Sequence, residues 1–464
     1  MKRNCIVMVL ALLLALAMSP AAGAEGALNR KDITASSNQD SVSEMLDGRE
    51  TSSWSSGKDD AAPCLTIALP EDREGWDGLY ITWNGDGVPW SFSWSADGVN
   101  YSESQAQGTC CFVYEYVSVP REARFLRMEA DCAMSILELQ LADSQDPTVQ
   151  QWQPSCEKAD LLIVAAHPDD DALFVGSSVP YYATARGKVC QLCFFTTPSR
   201  LRQREALRCA WLMGHRYYPC FDDYEDERFD NRDEMARFWG GEERVEASMV
   251  GLVRRFKPTV LVTHDVHGEY GHGAHKLMAL AAQYAADHSG DETVFPDSAE
   301  AYGAWNIPKT YLHIYGDHQI TLNLRIPLAD YDGKSALEVA RLGYLEHESQ
   351  QQWSFRVDDK YKYSCARFGL YKSFVGDDVI CEDFFEHISG DSDLLANPTP
   401  TPEPTPTPKP APTPEPTPIP EPETTVTETA ATQTAAATAE NESATVGFWQ
   451  RLWSMIERLF SRNR

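Results

Sequence analysis

Apolar residues in this chain first alternate, then run continuously before loops rich in histidine and aspartate, and finally give way to a proline-rich tail. Those three observations predict a multidomain protein. Alternation without helical periodicity over residues 28–143 predicts an antiparallel β-sandwich. Short apolar runs alternating with helical patterns over 157–390 predict an α/β domain with a Rossmann-like parallel sheet. A Pro/Thr/Ala-rich stretch at 397–446 predicts a disordered linker, and 447–464 an amphipathic helix.

The amino terminus reads as a secretory signal over residues 1–24. Lys2 and Arg3 precede an apolar core at 6–18, and Ala22-Gly23-Ala24 supplies small residues for cleavage, so export is expected. Cys5 lies before the apolar core, not where a lipid-anchored cysteine would. In the sandwich, Leu79, Ile81 and Trp83 point one way, and Phe92 and Trp94 do likewise before the turn signal Asp97-Gly98. Trp54 and Trp90 are candidate sugar platforms, although such residues more often fill a core. Residues 144–158 would join the two domains.

In the second domain the run LLIVAA at 161–166 reads as a strand buried on both faces, and AHPDDD at 166–171 then lies on the loop at its carboxyl end. The arrangement recurs at 259–263 (TVLVT), followed by GEYGHGAH at 268–275 and a helical pattern beyond. Carboxyl ends of parallel strands are where separate loops converge on a ligand. His167, Asp170 and His275 are therefore the candidate metal ligands. Two histidines and a carboxylate suit zinc, with room left for water. They also suit ferrous iron. Asp169, adjacent to a ligand but free to point elsewhere, is the candidate general base, and His272 precedes His275 by one helical turn. His264 and His267 lie beside the cluster, whereas His215, His288, His313, His318 and His387 read as ordinary surface or core residues. Cys190 and Cys193 form a CxxC inside an apparent buried strand, which argues against redox or zinc chemistry there.

AHPDDD together with the later GHxxH resembles the LmbE/PIG-L family of zinc-dependent N-acetylglucosamine deacetylases, over about residues 159–388. The resemblance implies metal binding by His167, Asp170 and His275, proton acceptance by Asp169, and transition-state assistance from His272 and Tyr270. Many members carry HPDH where this chain has His272-Gly273-Ala274-His275. Arg202-Gln203-Arg204-Glu205, in a predicted helix over 200–213, resembles the family's RxxE element, which implies a substrate-facing Glu205. The segment 332–350, ending His347-Glu348-Ser349-Gln350, resembles a recurrent family helix. Leu46-Asp47-Gly48 to Trp54 and the strands at 125–128 and 137–139 resemble the discoidin (coagulation factor 5/8 type C) family, which implies carbohydrate binding.

The tail from Pro398 to Pro422 is nearly a PT/PE repeat, favouring extended polyproline conformation. In the closing segment Phe448, Trp449, Leu452, Trp453, Ile456, Leu459 and Phe460 recur at helical spacing opposite arginines, a pattern suited to a membrane interface or the cell envelope. A net charge of −29 argues against a nucleic-acid partner. The expectation is an exported hydrolase that frees acetate from GlcNAc-type sugars in a glycan or glycoconjugate. The alternatives are a carbohydrate-binding surface protein with an inactive hydrolase domain, and a mononuclear iron oxygenase.

Overall fold

The computed structural model describes residues 27–388. The expected signal segment 1–24, linker 397–446 and amphipathic helix 447–464 lie outside the described residues. Among the described residues no helix is long and apolar enough to cross a membrane.

Nine strands build the amino-terminal region. They are β1 (Ile33–Ala35), β2 (Trp54–Ser55), β3 (Cys64–Ala68), β4 (Gly78–Trp83), β5 (Trp90–Ser95), β6 (Gln105–Gln107), β7 (Tyr114–Ser118), β8 (Phe125–Glu129) and β9 (Ser135–Ala142). They form two antiparallel sheets, β1-β3-β8-β5-β6 and β2-β9-β4-β7, whose inner faces share one core. Leu79, Ile81 and Trp83 enter that core as their alternation requires. Trp54 and Trp90 are buried in it too, so neither offers a ring to a sugar. The turn after β5 is fastened by Asp97, whose Oδ1 accepts the backbone N–H groups of Val99 and Asn100. Tyr80 points from the opposite face of β4 into the apolar core of the following domain. Residues 144–158 are not a loose spacer: Val149 and Trp152 are buried, and the Trp152 ring meets Trp211 edge-on at 5.2 Å.

The second domain contains β10 (Leu161–Ala165), β11 (Cys190–Thr197), β12 (Cys220–Glu225), β13 (Val260–Thr263), β14 (Lys309–His313), β15 (Gln319–Thr321) and β16 (Arg367–Ser373). Their order is β12-β11-β10-β13-β14-β16-β15, with the first five parallel. Strand β16 runs antiparallel to β14 and β15. Leu161, Ile163 and Ala165 enter one core while Leu162 and Val164 enter the other, which is why β10 shows no polar face. The helices are α1 (Arg200–Leu212), α2 (Arg232–Phe238), α3 (Glu242–Phe256), α4 (Gly273–His288), α5 (Pro296–Tyr302) and α6 (Ala336–Leu345). Helices α1 and α6 cover one face of the sheet, and α2, α3 and α4 the other. Chain order reverses between β10 and β13, so the loops leaving those strands open a crevice at the topological switch point. Both sequence motifs lie there.

Candidate metal centre

The loop after β10 is tightly wound. His167 and Asp170 lie in one turn, with the Asp170 N–H donating to the His167 carbonyl at 3.2 Å, and a single π-helical turn follows at Asp171–Val175. Such turns recur at functional sites because they re-aim side chains. Asp169 has φ 117°, a region that non-glycine residues rarely adopt. On the facing loop Tyr270 is left-handed as well, with φ 47°. The next residue but one, His272, starts α4 by accepting the Ala274 N–H on Nδ1 at 3.3 Å.

Three side-chain atoms converge. His167 Nδ1 lies 3.0 Å from Asp170 Oδ2, His275 Nε2 lies 3.2 Å from the same oxygen, and the two ring nitrogens are 3.3 Å apart. His275 turns its other nitrogen, Nδ1, to Glu269 Oε2 at 2.7 Å. In the neutral ring, with Nδ1–H donating to that carboxylate, Nε2 presents a lone pair, so an ion binding there would displace the second ring proton. A lone pair, a carboxylate oxygen and a second imidazole then face one another, and a single proton can satisfy only one pair among them. A cation satisfies all three. Zinc bonds of 2.0–2.1 Å in tetrahedral geometry would place ligand atoms about 3.3 Å apart, so the residues fit such an ion. Burial depresses His275, but the carboxylates of Asp170 and Glu269 outweigh it and carry the pKa up to about 10. Burial likewise opposes ionisation of Asp170, yet His275 and His264 hold that carboxyl well below the usual range.

Glu269 is the residue that motif reading missed. It is fully buried, and its two oxygens gather three histidines: His264 Nδ1 at 3.0 Å, His275 Nδ1 at 2.7 Å and His313 Nδ1 at 2.5 Å. His264 accepts the Ala166 N–H on Nε2 at 2.9 Å, so its proton sits on Nδ1, toward Glu269. The sequence reading of His313 as an ordinary residue is corrected here. It closes β14, contacts Glu269 through Nδ1, and places Nε2 3.0 Å from the Ser364 carbonyl. The signal for both residues was present. Glu269 lies inside GEYGHGAH, and His313 ends the next parallel strand, at the same sheet edge.

Asp169 sits beside the triad and is buried. Burial, followed by the neighbouring Asp170 charge, pushes its carboxyl well above the usual range, while Arg202, 3.7 Å away, pulls the other way. The same Arg202 donates to the Pro168 carbonyl and pairs with Asp226. Burial and the nearby His275 lower His272 to about 2, leaving a neutral ring whose proton lies on Nε2 because Nδ1 accepts the Ala274 N–H. That backbone bond orients His272, and Ala274 itself is fully buried. The Tyr270 ring lies 5.7 Å from His272 and 5.4 Å from His275, stacked on Phe355.

Glu205 is elsewhere. Both its oxygens are taken by Ser349, from the backbone N–H at 2.7 Å and the hydroxyl at 2.6 Å, and the side chain is fully buried. The expectation that it faces substrate is corrected to anchoring the turn that carries residues 347–350. Gly273 holds the opposite wall. A Cβ there would stand 2.6 Å from the Phe229 carbonyl and 2.8 Å from that of Asn231, both rigid backbone. Gly273→Ala should therefore shift the start of α4, costing about 1–3 kcal/mol and weakening metal retention, measured by thermal unfolding and metal content.

Residues 162–286 match the family described as "PIG-L: GlcNAc-PI de-N-acetylase". Two curated relatives are 1D-myo-inositol 2-acetamido-2-deoxy-alpha-D-glucopyranoside deacetylases. The one from Catenulispora acidiphila is 27% identical over 43% of this chain and 67% of its own length. The one from Thermomonospora curvata is 27% identical over 33% of this chain and 61% of its own length. The chain thus spans about two thirds or less of these proteins. Among solved structures, N,N'-diacetylchitobiose deacetylase from Pyrococcus horikoshii aligns at 16% identity, over 54% of this chain and 92% of that one, with a TM-score of 0.33. Every group of the centre except His313 falls inside the matched segment, and the α/β domain of this protein is PIG-L-like.

Proposed function

We propose that the protein is a metal-dependent hydrolase that removes the N-acetyl group from GlcNAc-type sugars in a glycan or glycoconjugate, releasing acetate and a free amine. The observation that carries this reading is the mutual approach of His167, Asp170 and His275 within 3.3 Å, with buried Asp169 alongside. A divalent ion held by those three, zinc or ferrous iron, would supply an acidified water and a polarised carbonyl.

The remaining chemistry belongs to the chain. Asp169 accepts the proton of the attacking water, a role suited to a carboxyl held well above its usual range. His272, neutral with its proton on Nε2, and the Tyr270 hydroxyl donate toward the developing oxyanion. A neutral His272 has no spare proton for the leaving amine, so protonated Asp169 returns the one it took. Arg202 steadies the Pro168-Asp169 turn during both transfers. Export is supported by the charged, apolar and small-residue pattern at 1–24, and cell-envelope contact by the amphipathic pattern at 447–464. The discoidin-like reading of the amino-terminal sheets adds a carbohydrate-holding role.

The test is release of acetate and primary amine from N-acetylated sugars and cell-wall glycans, with metal-loaded protein beside chelator-treated protein. Release that stops on chelation and returns with added zinc or iron is expected. Absence of release from every N-acetylated sugar, by a protein that retains metal, would reject the deacetylase reading.

A further inference from the structure

A second cluster of donor atoms lies behind the catalytic loop, where helices α1 and α6 meet. Cys209 near the end of α1 and Met213, which caps it, are four residues apart and share a face, and their sulfurs lie 3.5 Å from each other. On α6, Gly343 packs directly over them: a Cβ there would meet Cys209 Sγ and Met213 Sδ at 3.1 Å. Four residues on, His347 is fully buried with neither ring nitrogen hydrogen-bonded, and its Nε2 stands 3.8 Å from Asp171 Oδ1. Asp171, equally buried, places Oδ2 3.5 Å from Cys209 Sγ. One ligand atom from each of Asp171, Cys209 and His347 lies within 4.8 Å of the other two.

From this geometry we propose a second metal site, in which Cys209, His347 and Asp171 bind a thiophilic ion of the zinc class, with the Met213 thioether at the fourth corner. Tetrahedral zinc with bonds of 2.0–2.3 Å would separate its ligand atoms by about 3.3–3.8 Å; Cys209 Sγ lies 3.5 Å from Met213 Sδ, and the Asp171 carboxylate reaches Cys209 with one oxygen at 3.5 Å and His347 with the other at 3.8 Å, so a small rotation of that carboxylate completes the set. Binding displaces the Cys209 thiol proton to solvent. One thiolate and one carboxylate then balance a divalent charge, and the site is electrically neutral in a fully buried place. The ion would give His347 the partner it otherwise lacks, where an unsatisfied buried ring carries a desolvation cost. Being enclosed, it would enter as the chain folds. Its place is also mechanistically close, because Asp171 Oδ1 accepts the Asp169 N–H at 3.2 Å and so supports the strained base from behind.

The two sites differ in one spectroscopic respect, since His167, Asp170 and His275 contain no sulfur. Full-length protein refolded with cobalt should show a thiolate-to-cobalt charge-transfer absorption that persists in His275→Ala and vanishes in Cys209→Ser. Zinc-loaded wild type should keep half its metal after a chelator has stripped the other half, and Cys209→Ser should lose that retained half. A wild-type spectrum without the thiolate band overturns the proposal whatever the variants do, and so does a band that survives in Cys209→Ser. If Cys209→Ser fails to fold, His347→Gln replaces it, with loss of the band expected and its persistence unaltered counting against the site. None of these readings depends on deacetylase activity.

Discussion

Asp169→Asn should lower kcat by about 10²–10⁴-fold while leaving metal content and KM nearly unchanged. Asparagine suits this test because it keeps the size of the side chain and, with aspartate, is among the few residues that tolerate positive φ. The strained turn at φ 117° therefore survives, and only the ability to accept a proton is lost. The variant also removes one of three consecutive buried carboxylates, Asp169, Asp170 and Asp171, whose mutual repulsion contributes to the elevated Asp169 carboxyl. Thermal stability should hold or rise slightly as the rate falls. Metal analysis, unfolding and steady-state kinetics on one preparation separate the outcomes. Loss of metal together with rate would make Asp169 a ligand or a structural support, and an unchanged rate would remove it from the mechanism.

Much of this arrangement was readable in the residues, for physical reasons. A strand buried on both faces cannot carry polar side chains, so Leu161–Ala165 and Val260–Thr263 announced themselves as uninterrupted apolar runs, and parallel strands deliver their following loops to one edge. Ser199, whose side chain accepts the Arg202 N–H, and Gly214, with φ 99°, bracket α1 close to the predicted 200–213. The histidine-gathering role of Glu269 was harder to see. A buried carboxylate is betrayed by its partners, and two of these, His264 and His313, stand 5 and 44 residues away. Glu205 misled for the opposite reason. Its RxxE-like setting implied a substrate-facing side chain, whereas contact with Ser349, 144 residues on, buries it. The amino-terminal sheets gave no sign that they would dock. Glu50 pairs with Arg204 and Arg208, and Tyr114 accepts from Arg208, but alternation describes which faces of a strand differ and not what each face meets.

Glu269→Gln should be the most damaging single change to the centre after loss of a ligand. One carboxylate receives Nδ1–H from His264 and His275 on one oxygen and contacts His313 Nδ1 with the other. An amide keeps one acceptor oxygen and turns an NH₂ group toward at least one donor, so a buried N–H faces another N–H. Breaking a buried charged network in this way costs about 3–5 kcal/mol. The consequence for metal is separate. Glu269 fixes the His275 tautomer that presents Nε2 to Asp170 and His167, and loss of such a partner typically lowers metal affinity about 10–100-fold. Both effects are measurable on the same protein, by denaturant unfolding in chelator and by metal competition. A variant with wild-type stability and weakened metal binding would confine Glu269 to orienting His275. A variant that is destabilised yet binds metal normally would make it a structural pin only. Loss of both is expected, because the hydrogen bonds that hold the strand-end His264 and His313 and the helical His275 in the core are the ones that aim His275 at the ion.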